Sequence, residues 1–141
     1  MKIEFRDGLP FVTANVSYRG QQLQVQDVLL DTGLLGTVFS ADVLLVIGVV
    51  YDAGDIIHRI RGVGGTEFVF SKSIDRLALG DLVLSNFEIE VGVMDYGFKI
   101  DGIVGMDFLT QVGAVIDLST MEVYMSKTTK DEVSTTTTKL W

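Results

Sequence analysis

Leu29, Leu30, Asp31, Thr32 and Gly33 form an apolar run that ends in an acid, a hydroxyl and a glycine. Burying a lone carboxylate is costly unless its charge is shared or hydrogen-bonded, so an acid at the end of an apolar strand marks a position kept for chemistry. The chemistry open to it is general acid–base work on water or substrate, which two carboxylates held close together perform best. The plain alternative is a turn in which Asp31 bonds its own backbone and Gly33 takes positive φ.

Other candidate groups read more simply. Asp101 with Gly102 reads as a turn, Asp107 as an exposed or helix-capping acid, and Asp117 as a strand-end acid before Ser119 and Thr120. Gly62, Val63, Gly64 and Gly65 do not make a nucleotide loop, because Glu67 stands where the dinucleotide fingerprint needs glycine and Phe68, Val69 and Phe70 continue as a strand. Asp52, Asp55 and His58 carry oxygen and nitrogen ligands, but no further ligand cluster accompanies them, so a solvated loop is expected and neither metal nor cofactor is implied.

The chain has 141 residues, 48% of them hydrophobic, with one proline and a formal net charge of −8. That composition suits one folded domain with its own core. Its 11 basic residues are scattered, which excludes the clustered cations that nucleic acid or an anionic membrane surface would require. Cysteine is absent, so disulfides and thiolate metal sites are excluded. Charged residues at 2, 4, 6 and 7 stand where a signal peptide would have its apolar core, and the apolar run 43–50 is too short to span a bilayer. A cytoplasmic location without membrane contact is the expectation.

These residues need a scaffold, and the patterning predicts a mainly β one. Val12, Ala14, Val16 and Tyr18 alternate with Phe11, Thr13, Asn15 and Ser17; Arg19, Gly20 and Gln21 form a turn; and Leu23, Val25 and the run 28–30 return the chain to Asp31. Further strands are expected in 56–70, around the glycine cluster at 62–65, in 77–84 around a Gly80-Asp81 turn, in 87–93, and in 114–125. Only 40–47, opened by Ser40 as N-cap, and 106–111, after Gly105, look helical. Residues 1–126 are read as one domain and 127–141 as a tail, either frayed or pairing as a strand with another chain.

The Asp31 loop, continued by Thr37, Val38, Phe39 and Ser40, resembles the catalytic loop of aspartic proteases. Asp101, Gly102, Ile103, Val104, Gly105, Met106, Asp107, Phe108 and Leu109 resemble the second signature of that family, in the right order along the chain. The glycine cluster lies where those enzymes carry the flap, a hairpin that folds over substrate. The likeness spans roughly 11–125 and is closest to single-domain, retropepsin-like members. It implies a closed β-barrel with one or two short helices and a flap hairpin at Gly62, Val63, Gly64 and Gly65.

The resemblance further implies a homodimer acting on a peptide or protein substrate, because one chain supplies one Asp-Thr-Gly. Asp31 from each subunit would form the dyad, Thr32 would bond across the dimer axis, Gly33 would allow close approach of substrate, and Ile103, Val104 and Gly105 would support the loop. Two features depart from the family pattern. Leu34 and Leu35 replace a small and a polar or acidic residue, and Met106 replaces the Arg that pairs with that acid in retroviral members. The paired change implies an intact fold with a greasier, narrower subsite. A catalytically silent dimer that binds peptide segments is the alternative.

Overall fold

The computed structural model describes residues 1–62 and 65–126, the side chains of 60–67 excepted. The chain begins with β1 (Glu4–Arg6), turns at Asp7 and Gly8, and enters the hairpin of β2 (Leu9–Tyr18) and β3 (Gln21–Leu30). Sequence patterning passed over β1, whose residues are charged or exposed. The turn between β2 and β3 has two residues, Arg19 and Gly20, at φ of 47° and 82°, the left-handed pair that matches the twist of the flanking strands.

The short β4 (Val38–Ser40) leads into α1 (Ala41–Leu44), where the Ser40 side chain accepts from the Val43 amide at 3.4 Å as expected for an N-cap. The expected helix over 40–47 is only partly α: Leu45–Ile47 is a tighter 3-10 turn, ended by Gly48 at φ 82°. Val43, Val46 and Ile47 disfavour a longer α-helix, and the left-handed glycine stops it.

Next come β5 (Ile57–Gly62) and β6 (Gly65–Leu79), paired from Ile57 opposite Phe70 to Gly62 opposite Gly65. Val63 and Gly64, two of the four expected flap residues, lie outside the described residues, as does the tail 127–141. The expected break between a strand in 56–70 and one in 77–84 does not occur. β6 runs for 15 residues because neither glycine nor proline interrupts it before Gly80. It pairs with β7 (Leu82–Gly92) across the expected Gly80-Asp81 turn.

Then follow β8 (Gly102–Val104), α2 (Met106–Gln111), β9 (Ala114–Asp117) and β10 (Glu122–Met125). The first eight strands form one sheet in the order β1-β2-β3-β8-β4-β7-β6-β5, and β2 pairs additionally with β6. β9 and β10 form a separate antiparallel pair, tied to the N-terminus by Ile3 N to Met121 O at 2.8 Å and Val123 N to Met1 O at 2.9 Å.

Alternating strand residues bury Val16, Val28, Ile74, Leu77, Ile89 and Val91 in the main core, which Phe39, Leu44 and Phe108 complete. Phe87 and Phe108 meet edge to face at 5.8 Å, fixing α2 against the sheet. A smaller cluster of Phe11, Ile100 and Ile103, with Leu29 and Leu34 packed against it, lies under the loop that follows β3.

Candidate active site

Asp31 stands where the β3–β8 ladder ends. Val28, Leu29 and Leu30 pair in parallel with Gly102, Ile103 and Val104, and the Asp31 amide extends that ladder to the Val104 carbonyl at 3.0 Å. Two segments far apart in sequence are thereby placed side by side, each supplying the backbone partner the other needs. Leu30 is buried and Asp31 half-buried, while Thr32 and Gly33 are exposed.

The carboxylate is held by its own loop. The Gly33 amide donates to Oδ1 of Asp31 at 2.8 Å, and the Leu34 amide donates to the Asp31 carbonyl at 3.3 Å. The Asx-turn half of the plain turn reading is therefore present. Its other half is not, because Gly33 does not have positive φ. Glycine matters here for space: a β-carbon at 33 would sit 3.2 Å from Oδ1 of Asp31.

Beneath the loop lies the second signature segment. A β-carbon on Gly105 would come within 2.6 Å of the Leu34 carbonyl oxygen, so only glycine lets the two backbones meet. Two α2 amides then clamp the loop, Met106 N to Leu34 O at 2.8 Å and Asp107 N to Leu35 O at 3.0 Å. Backbone bonds thus hold Leu34 and Leu35 without the side-chain ion pair for which Met106 leaves no partner.

Sequence reasoning missed the clasp that completes this clamp. The buried Thr37 hydroxyl donates to Oδ1 of Asp107 at 2.7 Å and accepts from the Gly105 amide at 3.2 Å, while the Thr37 amide donates to Oδ2 of Asp107 at 3.1 Å. Asp107 also accepts from the Phe108 amide at 2.8 Å, the helix-start role expected of it, but it is half-buried rather than exposed. The available signal was its place two residues after Gly105, in the first turn of α2.

A cleft that includes Leu34 and Leu35 lies beside this loop. Those residues and Val38 form one wall, but His58, Arg59 and Glu90 line the rest of a space of about 350 Å³. The His58 Nε2 lies 2.8 Å from Ser71 Oγ, which lies 3.1 Å from both carboxylate oxygens of Glu90. In a nucleophile–base–acid relay the acid would hold the far ring nitrogen of the histidine. Here Glu90 faces the hydroxyl and the same Nε2, at 3.8 Å, so the trio braces β5 to β6 and β7.

Asp52 and Asp55 lie in an exposed loop, as expected, but their carboxylates are not free. Both reach Nζ of Lys72, at 2.8 and 2.7 Å, and Lys72 is only 7% exposed. The Lys72 hydrogen bond is the main cause that holds the Asp55 carboxyl below its ordinary value. Burial pulls the Lys72 ammonium down, but the bonds to Asp52 and Asp55 outweigh it and the net shift is upward. Asp117, as expected, closes the turn after β9 and is lowered chiefly by the Ser119 hydroxyl. Among the described residues no group of three or more His, Cys, Asp or Glu side chains is placed to hold a metal ion.

The Asp-Thr-Gly segment thus stands at the end of a parallel β3–β8 junction, locked by a glycine-led helix start. A family model described as "Aspartyl protease" matches residues 12–108, a span that takes in Asp31, the β5–β6 hairpin and Gly105. The chain belongs to the aspartyl protease family. No curated protein matches it.

Proposed function

We propose that the protein is an aspartic endopeptidase whose active unit is a retropepsin-like homodimer, with one Asp31 carboxylate from each subunit. The observation that carries this reading is the position of Asp31. It lies at the end of β3, bound by its amide to Val104 and by Oδ1 to the Gly33 amide, in a loop whose next residues are exposed. One carboxylate so placed cannot by itself hold both the acid and the base of peptide hydrolysis. Two facing carboxylates can, because like charges a few Å apart do not both ionise and one proton is shared between them.

In this mechanism the ionised member takes a proton from a water held between the pair, and the water oxygen attacks the peptide carbonyl. The protonated member donates to the carbonyl oxygen as the tetrahedral intermediate forms. Proton return to the nitrogen then breaks the C–N bond, releasing an amine and a carboxylic acid. Thr32, exposed beside Asp31, is assigned the contact between the two loops, and Gly33 the approach of the substrate backbone. The β5–β6 hairpin, ending at Gly62 and Gly65, is assigned the role of flap over the bound peptide.

The pairing of β2 with both β3 and β6 supports reading the sheet as the closed barrel of this family, with 1–126 as its single domain. Among the described residues no helix is long and apolar enough to cross a membrane. A second reading, a silent dimer that binds peptides, is favoured by one observation, the 84% exposed Leu35 beside the site. The two are separated by offering unfolded protein and peptides at mildly acidic pH to wild type and Asp31→Asn. Cleavage by wild type alone supports the peptidase; equal binding by both without cleavage supports the silent dimer.

A further inference from the structure

We infer that the cleft beside the Asp31 loop is a side-chain subsite that selects a cationic residue, lysine or arginine, of the peptide through Glu90; this rests on the peptidase reading. Leu34, Leu35 and Val38 form its apolar side, and His58, Arg59 and Glu90 its polar side, around about 350 Å³. That volume lies at the small end of ligand pockets, the scale of a side chain rather than of a whole cofactor. Leu34 follows Asp31 in the same turn, its amide on the Asp31 carbonyl at 3.3 Å, so an occupant of the cleft lies next to the proposed scissile region.

Glu90 is fixed in position, and its ion-pair contact among the described residues is with His58, at 3.8 Å, which carries charge only when protonated. Its amide donates to the Thr37 carbonyl at 2.9 Å, and β4 runs beside β7 with Val38 opposite Glu90. Its carboxylate receives the Ser71 hydroxyl, which has one proton to give. The order that sets no acceptor against another is His58 Nε2–H to Ser71 Oγ and Ser71 O–H to Glu90. An ionised carboxylate accepts about four hydrogen bonds, so most of that capacity remains.

The nearby cation does not supply it. Arg59 also borders the cleft, but its guanidinium lies over the ring of its cross-strand partner Phe68, 5.7 Å from the centroid, and it makes no ion pair with Glu90. Among the described residues no Lys or Arg lies within ion-pair distance of Glu90, whose side chain is 22% exposed. A lysine or arginine matches both halves of the cleft, its aliphatic stem along Leu34, Leu35 and Val38 and its charged head on Glu90. A leucine would strip water from Glu90 without replacing it, and a glutamate would face a like charge. The chain's net charge of −8 favours the approach of basic peptides.

The test uses sets of fluorescent peptides identical except at one position, which carries Lys, Leu or Glu and is moved stepwise along the sequence. Glu90→Gln removes the charge while keeping an oxygen to accept from Ser71. Wild type is expected to cleave the Lys member at one position about tenfold or more faster than the Leu member, with the preference lost in Glu90→Gln. Cleavage without such a preference, or with one that Glu90→Gln leaves intact, overturns the subsite while the peptidase reading stands. If wild type cleaves nothing, the peptidase reading fails, and affinity of the same peptides decides the subsite: Lys favoured over Leu only with Glu90 present supports it, and equal affinities overturn it.

Discussion

The Thr37 hydroxyl donates a 2.7 Å hydrogen bond to a carboxylate oxygen of Asp107, 70 residues away in the chain, and the same hydroxyl oxygen receives the Gly105 amide. One buried side chain thus joins the loop after Asp31 to the start of α2. Thr37→Val keeps the shape but leaves the buried Gly105 amide unpaired and Oδ1 of Asp107 with the Phe108 amide alone. The expected result is a loss of about 1–3 kcal/mol in urea unfolding, with peptidase activity reduced further than stability alone explains. Asp107→Asn, with its oxygen kept for the hydroxyl and the Phe108 amide, turns its NH2 group toward the Thr37 N–H, so it is expected to weaken the protein by a similar amount.

Gly105→Ala tests the contact between the two signature segments. Its β-carbon would be driven into the Leu34 carbonyl at 2.6 Å, a backbone atom that cannot swing aside. A loss of about 1–3 kcal/mol is expected, together with loss of cleavage. Gly36→Ala is the control, since nothing lies within 4 Å of a β-carbon there and its φ is not left-handed. Thermal unfolding of both variants side by side checks the difference.

Much of this was legible in the sequence, for local reasons. Arg19 and Gly20, Gly80 and Asp81, and the Ser40 cap announce themselves because turn and cap chemistry depends on neighbouring residues alone. Helix 106–111 was found to the residue, since Gly105 opens it and an apolar pair, Phe108 and Leu109, faces the core. What sequence could not show depends on long-range pairing: the parallel β3–β8 junction, the Thr37–Asp107 clasp, and Lys72 closing on Asp52 and Asp55. Glu90 was hidden for another reason, as the polar residue between Ile89 and Val91 reads simply as the solvent face of a strand.

The ion cluster at Lys72 sets a pH dependence of stability. Asp55 and Asp117 have folded values lowered from the ordinary 3.8, so their contribution is present above 3.8 and is lost as pH falls below it toward the lowered values. Lys72 is raised above its ordinary 10.5, so its contribution is present below 10.5 and is lost as pH rises through the raised value. Melting temperature is expected to be level across neutral pH and to fall at both extremes. Lys72→Met, which removes the shared cation, should lower the melting temperature at neutral pH and flatten the fall below 3.8 attributable to Asp55. An unchanged acid profile would contradict that assignment.

Activity should depend on concentration, because each subunit of the proposed dimer supplies half of the dyad. Specific activity is expected to fall on dilution over the range in which light scattering or sedimentation records dissociation. Specific activity that stays constant while the dimer comes apart would place a complete site in one chain.

The most direct measurement mixes wild type with Asp31→Asn at equal amounts, after the subunits have been allowed to exchange, and compares peptide cleavage with that of wild type at the same total concentration. If every site needs Asp31 from both chains, random pairing leaves about one quarter of the dimers intact, and activity settles near that fraction. A value near one half, the mean of the two proteins assayed separately, would contradict the shared dyad, and full cleavage by Asp31→Asn alone would remove Asp31 from the chemistry.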